Sequence, residues 1–212
     1  MFSAANCAGK TCVAAYQPKA AASLAASYVN LANPGTYDAA PGVAPTWASA
    51  TGWAFNGSTQ WLNTGVVPTL NGSWTMLIRY VYSSGGNYPT VAGQRENVST
   101  FPDLAICVDN GATGTSNQTV FRNSHVTGFS TTPRLGSGVA CIAGNKAYWN
   151  GSNIGTLTVG SATGTRAIYI GAQNEVGSPS YKFPGTVQAL AIYNATLTAG
   201  EVATVSAAMA AL

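Results

Sequence analysis

The stretch SWTMLIRYVY, residues 73–82, sets the terms for the rest of the chain. Trp74, Met76, Ile78, Tyr80 and Tyr82 share one face, a period of two that fits a half-buried β-strand. Thr75, Leu77, Arg79 and Val81 take the other face. Similar short runs follow in YPTVAGQ, DLAICVD, QTVFRN, SGVACIAG, NKAYWNG and TRAIYIGAQ. Ser-Gly-Gly, Asn-Gly, Thr-Gly and Gly-Ser clusters separate them, and such residues reverse a chain. GWAFNGSTQWLNTG offers two short strands around Asn56-Gly57, a hairpin signal. Many short strands at near-regular spacing predict an all-β fold, a two-sheet antiparallel sandwich or jelly roll. No alternation with substantial helices points to a parallel α/β sheet.

The end of the chain changes character. In YKFPGTVQALAIYNATLTAGEVATV, residues 181–205, Val187, Ala189, Ala191 and Tyr193 point one way along a strand. Thr186, Gln188, Leu190 and Ile192 point the other way. Thr198-Ala-Gly-Glu201 then has the form of a capping box, and Val202, Val205 and Met209 follow at helical spacing. One short C-terminal helix is predicted. At the other end, residues 1–51 are rich in Ala and turn formers, with TCVAAYQP as a first strand candidate. This region carries Tyr16, Leu24, Tyr28, Val29, Leu31, Tyr37 and Trp47, too many large apolar groups for a flexible linker. It is read as an extended segment, 1–51, packed on a domain at 52–212 or on a neighbouring subunit.

The C-terminal half resembles laminin-G-like, concanavalin-A-like jelly rolls of the lectin and glucanase type. The likeness rests on GVACIAGNKAYWNGSNIGTLT, on IYIGAQNE at 168–175, and on FPGTVQALAIYNATLTAGEVATV. FNGSTQWLNTG and GSWTMLIRYVY resemble the opening strands of that family. The resemblance implies a closing strand in the sandwich and a short helix that covers the edge of the sheets. The stretch AAYQPKAAASLAASYVNLANPGTYDAAPGVAPTW is similar to segments preceding such domains in tailed-phage virion proteins.

Composition narrows the function classes. Hydrophobic residues make up 46% of the chain and charged residues 7%, against a usual charged share of about 25%. The net charge is +3 with no block of Lys or Arg, so nucleic acid is not an expected partner. No apolar run approaches the ~18 residues of a membrane span. The N-terminus MFSAANCAGKTC lacks the pattern of a signal peptide, which suggests synthesis in the cytoplasm. Few charges leave little to keep copies apart, so a homo-oligomer with an apolar contact built on residues ~1–50 is expected.

Catalytic chemistry is hard to assemble from these residues. Glycoside hydrolysis usually takes two carboxylates about 5–10 Å apart. The acids are Asp38, Glu96, Asp103, Asp109, Glu175 and Glu201, without the Glu-x-Asp-x-x-Glu run of the related glucanases. Glu201 is accounted for as a helix cap, while Asp103 and Asp109, six apart, either share a strand face or simply flank LAICV at its two ends. His125 has no Gly-x-Ser-x-Gly partner, and no glycine loop carries Gly-Lys-Ser/Thr. No enzyme and no cofactor are expected. Lectin-like relatives often bind calcium, for which Asp109 and Asn110 are the candidates, followed by Asn174 and Glu175. Cys7 and Cys12 either close a tight disulfide loop or are two buried thiols; Cys107 and Cys141 are read as buried strand thiols. For a glycan, the candidates are Trp149 with Asn150, Tyr88, Tyr181 and the charged Arg95. Taken with the phage resemblance, these features lead to a non-catalytic structural protein on the surface of a viral particle, a capsid decoration or tail appendage. Its partners would be other virion proteins or its own copies. The alternatives are a carbohydrate-binding or adhesion module on cell-surface glycan, and a divergent glycoside hydrolase.

Overall fold

The structure is a computed structural model that describes residues 10–85, 87–100, 103–108 and 117–212, with the backbone alone at 125–127. In chain order it lays down β1 (Cys12–Tyr16), α1 (Leu24–Ser27), β2 (Ala40–Val43), β3 (Thr46–Ala48), β4 (Gly52–Asn56), β5 (Trp61–Asn63), β6 (Thr75–Tyr82) and β7 (Thr90–Arg95). There follow β8 (Asp103–Val108), β9 (Thr119–Asn123), β10 (His125–Thr127), β11 (Phe129–Thr131), β12 (Ser137–Ala143), β13 (Lys146–Trp149) and β14 (Ser152–Thr156). The last elements are β15 (Thr158–Val159), β16 (Tyr169–Ile170), β17 (Gln173–Glu175), β18 (Ser178–Ser180), β19 (Pro184–Tyr193) and α2 (Ala199–Ala210). The result is the predicted all-β sandwich with a closing helix.

The first sheet runs β14-β13-β12-β6-β19-β4-β3. Along its second edge β19 pairs with β4 at residues 184–187 and with β1 at residues 190–193, and an irregularity at Gln188 separates the two. The second sheet runs β11-β9-β8-β7-β16-β5-β2, and β17 adds to β7 in parallel. Between the sheets lies one apolar cluster. Trp53, Phe55, Met76, Ile78, Tyr80, Leu190 and Ile192 come from the first sheet; Leu62, Ala92, Leu104, Ile106, Phe121 and Ile170 come from the second. The alternation of residues 74–82 is therefore realised as read.

Three expectations change. The helix α2 does not cover a sheet edge. It lies across the outer face of the first sheet, where Val202, Val205 and Met209 bury Leu77, Val139, Cys141, Tyr148, Ala191 and Tyr193. The Asn56-Gly57 signal does not make a hairpin either, because β4 belongs to the first sheet and β5 to the second. Asn56 Oδ1 accepts from the N–H groups of Ser58, Thr59 and Gln60, so the side chain shapes a crossing between sheets. Finally, the N-terminal segment is more than an extended segment packed on the domain: besides β1, at the TCVAAYQP strand candidate, it supplies β2 and β3.

That segment is stitched to the sandwich by polar contacts as well. Asn30 is fully buried: its amide donates to the carbonyls of Val13 and Thr36, and its Oδ1 accepts from Ala15 and Ala32. Trp47 Nε1 donates to the Pro18 carbonyl and Trp53 Nε1 to Ser27 Oγ, both at 2.8 Å. The boundary drawn at residues 51/52 falls in the short turn of the β3–β4 hairpin.

Candidate functional site

The outer face of the second sheet has no helix over it among the described residues. Alternation sends Ala92, Leu104, Ile106 and Phe121 into the core, which leaves Gly93, Arg95, Asp103, Ala105, Cys107 and Arg122 on the opposite face. Strand register then sets these residues in rows. Arg95 lies opposite Asp103, Gly93 opposite Ala105, and Ala105 opposite Arg122. Gly93 and Ala105 are both buried, and a Cβ at Gly93 would come within 2.6 Å of the Ala105 Cβ. The same face carries a concavity of about 220 Å³ lined by Tyr88, Arg95, Cys107, Arg122, Gln173 and Tyr181.

Charge is concentrated here in a chain that has little of it. Arg95 Nη1 donates to Glu175 Oε1 at 2.9 Å and Nη2 reaches Asp103 Oδ2 at 3.4 Å. Arg122 Nη1 reaches that same Oδ2, also at 3.4 Å. Asp103 has no exposed side-chain surface, and its Oδ1 has no partner among the described residues. Burial pushes the Asp103 carboxyl up to about 6, while Arg122 and Arg95 pull the other way. Glu175 reaches Arg95 because β17 runs parallel to β7, with Glu175 beside Arg95 and Gln173 beside Gly93. Gln173 is buried and its Nε2 donates to nothing.

Two tyrosines form one wall. Tyr88 and Tyr181 meet edge to face with ring centroids 6.2 Å apart, and the Arg95 guanidinium carbon sits 5.7 Å from the Tyr181 ring centroid. Both tyrosines have left-handed backbones, with φ of 52° and 51°. Neither is glycine, so each conformation costs energy that its surroundings must offset. At Tyr181 one restraint is visible: its carbonyl accepts the Thr90 N–H at 2.7 Å. Behind them, Thr90 Oγ1 and Cys107 Sγ are 3.3 Å apart.

The structure thus brings together Tyr88, Tyr181 and Arg95 from the predicted set. It puts Trp149 and Asn150 on the first sheet instead. The Trp149 indole packs against the core beside Tyr80, at 6.0 Å between centroids, and Asn150 Oδ1 is taken by the Val139 N–H at 2.9 Å. Asp109, Asn110 and Cys7 lie outside the described residues. Asn174 and Glu175 are spent on protein contacts: Asn174 bridges the Ala167 carbonyl and the Gly177 N–H, and Glu175 holds Arg95. Among the described residues no group of three or more His, Cys, Asp or Glu is placed to hold a metal. Cys107 and Cys141 are buried, and burial lifts the Cys141 thiol well above its ordinary value. Asp103, Arg122 and Gln173 were not among the predicted site residues. The signal for Arg122 was present, since in QTVFRN the residues Val120 and Arg122 share a strand face opposite Phe121.

No protein-family model and no curated protein matches this sequence. Solved structures do resemble the fold. A mutant of Trypanosoma rangeli sialidase displaying trans-sialidase activity superposes with a TM-score of 0.61 at 16% identity, over 94% of this chain and 33% of that one. Trypanosoma rangeli sialidase in complex with sialic acid gives 0.59 at 17% identity, over 92% and 32%. The same sialidase with the inhibitor DANA gives 0.60 at 16% identity, over 91% and 32%. This chain spans about a third of the length of those sialidases, 33% in the first case. The likeness shows the fold, a two-sheet β-sandwich. It connects that sandwich with sialidases and not with virion proteins, which overturns the expectation of a viral-particle structural protein.

Proposed function

We propose that this chain is a carbohydrate-binding module that works through the outer face of its second sheet. The observation that carries this reading is the concavity between Tyr88, Tyr181, Arg95, Arg122 and Gln173. Aromatic rings beside fixed hydrogen-bonding groups suit a sugar, whose ring faces are apolar and whose edges carry hydroxyls. The backbone-constrained tyrosines and the buried charge cluster hold that surface in one shape before any ligand arrives, which lowers the cost of binding. The solved structures of similar fold are sialidases, and two of those named above hold sialic acid or an inhibitor. Binding without cleavage fits the local chemistry, because Asp103 and Glu175 are both tied to Arg95.

A glycan array probed with the full chain tests the reading. Retention of a defined subset of glycans, lost in Tyr181→Ala with an unchanged melting temperature, is the expected result. A blank array at high protein concentration overturns it.

A further inference from the structure

The lining of the concavity is uneven in charge. Among the described residues it holds two guanidiniums, Arg95 and Arg122, and no carboxylate. Asp103 and Glu175, which balance them, do not line it. Asp103 is fully buried and meets both arginines through a single oxygen. The two arginines are also unequally committed. Arg95 contacts two carboxylates, through Nη1 and Nη2. Among the described residues Arg122 contacts one, through Nη1 at 3.4 Å, longer than the ~2.7–2.9 Å of a charge-assisted hydrogen bond. Its side chain keeps 17% of its surface open.

Gln173 gives a second, independent indication. It is 1% exposed, lines the same concavity, and its Nε2 has no partner among the described residues. A buried donor left unmade is costly unless something completes it. An under-used guanidinium therefore lines the opening, and an unpaired amide is buried in its wall; both are donors. The occupant they suit accepts hydrogen bonds and is negative. A carboxylate fits the planar fork of a guanidinium better than a hydroxyl does. The volume, about 220 Å³, is below the ~300–1,000 Å³ of drug-sized sites and suits one ring more than a long chain.

We infer that the trough selects an acidic sugar, a ring bearing a carboxylate, with that carboxylate against Arg122 and the ring against Tyr181. This rests on the carbohydrate-binding reading and adds the ligand class to it. Two sources share the chemistry: a uronic acid within a polysaccharide, and a terminal sialic acid.

Titration calorimetry on the full chain separates them with two matched pairs, a galacturonate oligosaccharide against its methyl ester and sialyllactose against lactose. The expected result is that one acid binds about tenfold or more tighter than its neutral partner. The pair that shows the gap identifies the source. Arg122→Gln should bring the acid down to the level of the neutral sugar, and Arg122→Lys should fall between, since it keeps charge but loses the fork. Rising salt should weaken the acid and leave the neutral sugar alone. Should Arg122→Gln fail to fold, the acid–neutral gap and its salt dependence in the unaltered chain decide the matter. Equal affinity for acid and neutral forms overturns the inference and leaves carbohydrate binding standing. No binding to any of these sugars also overturns it, and a blank glycan array would then remove the underlying reading as well.

Discussion

At the scale of single residues, Asp103 is an acid without solvent that holds two arginines through one oxygen while its other oxygen stays unpaired. Its carboxyl is pushed up to about 6, above the ~3.9 of an unfolded chain. The folded protein thus holds this proton more tightly than the unfolded one. The contribution of Asp103 to stability is complete below pH ~4 and is lost as pH rises through about 6, a change of roughly 2–3 kcal/mol. Glu201 runs in the opposite sense. Bonds from the Thr198 N–H and hydroxyl hold its carboxyl below its usual range, so its contribution is present at neutral pH and lost on acidification. Urea unfolding of the wild type and Asp103→Asn across pH 4–8 isolates the first effect. The wild type should lose roughly 2–3 kcal/mol relative to the variant as pH rises. A difference that stays flat with pH would refute the buried acid. Only part of this cluster was legible beforehand. Arg95, Tyr88 and Tyr181 stood out as charged or aromatic residues beside turns. Asp103 looked like the end of a strand and Arg122 like an ordinary strand residue. Their meeting depends on the register of β7, β8 and β9, which no local stretch encodes.

At the scale of elements, α2 shows what local signals can and cannot say. Its start was written in the sequence, and the Thr198–Glu201 capping box is present in full. Glu201→Ala should cost about 0.5–2 kcal/mol in chemical denaturation, and no change would mean that the cap carries nothing. Its end is held by a contact the sequence did not suggest: Arg79 Nη1, on β6, donates to the Met209 carbonyl, one of the last of the helix. Met209 itself is fully buried against the first sheet. Met209→Ala should cost about 2–5 kcal/mol, the range for emptying a packed site, and a loss below 1 kcal/mol would show that the helix repacks freely. The face that α2 covers was not legible, because the second face of β6 mixes Leu77 and Val81 with Thr75 and Arg79, and periodicity does not say what packs on it. Asn56-Gly57 failed for a related reason. A turn signal reports that the chain bends, and here it bends from one sheet to the other.

At the scale of the whole molecule, residues 10–51 belong to the sandwich. They bring β1 to β19, a hydroxyl to the Trp53 indole, and the buried Asn30 that fixes β1 to the following loop. A chain of residues 52–212 should therefore lack a cooperative thermal transition or be insoluble. A soluble 52–212 fragment that melts sharply near the full-length temperature would contradict this. The same wiring bears on synthesis. β1 and the β3–β4 hairpin reach β6 only through β19, so β1 has no strand partner, and β4 none but β3, until residue 193 has emerged. At about 5–20 residues per second, most of the ~10–40 s taken to translate 212 residues passes with those strand edges bare. During that interval those edges are open to pairing with a neighbouring chain.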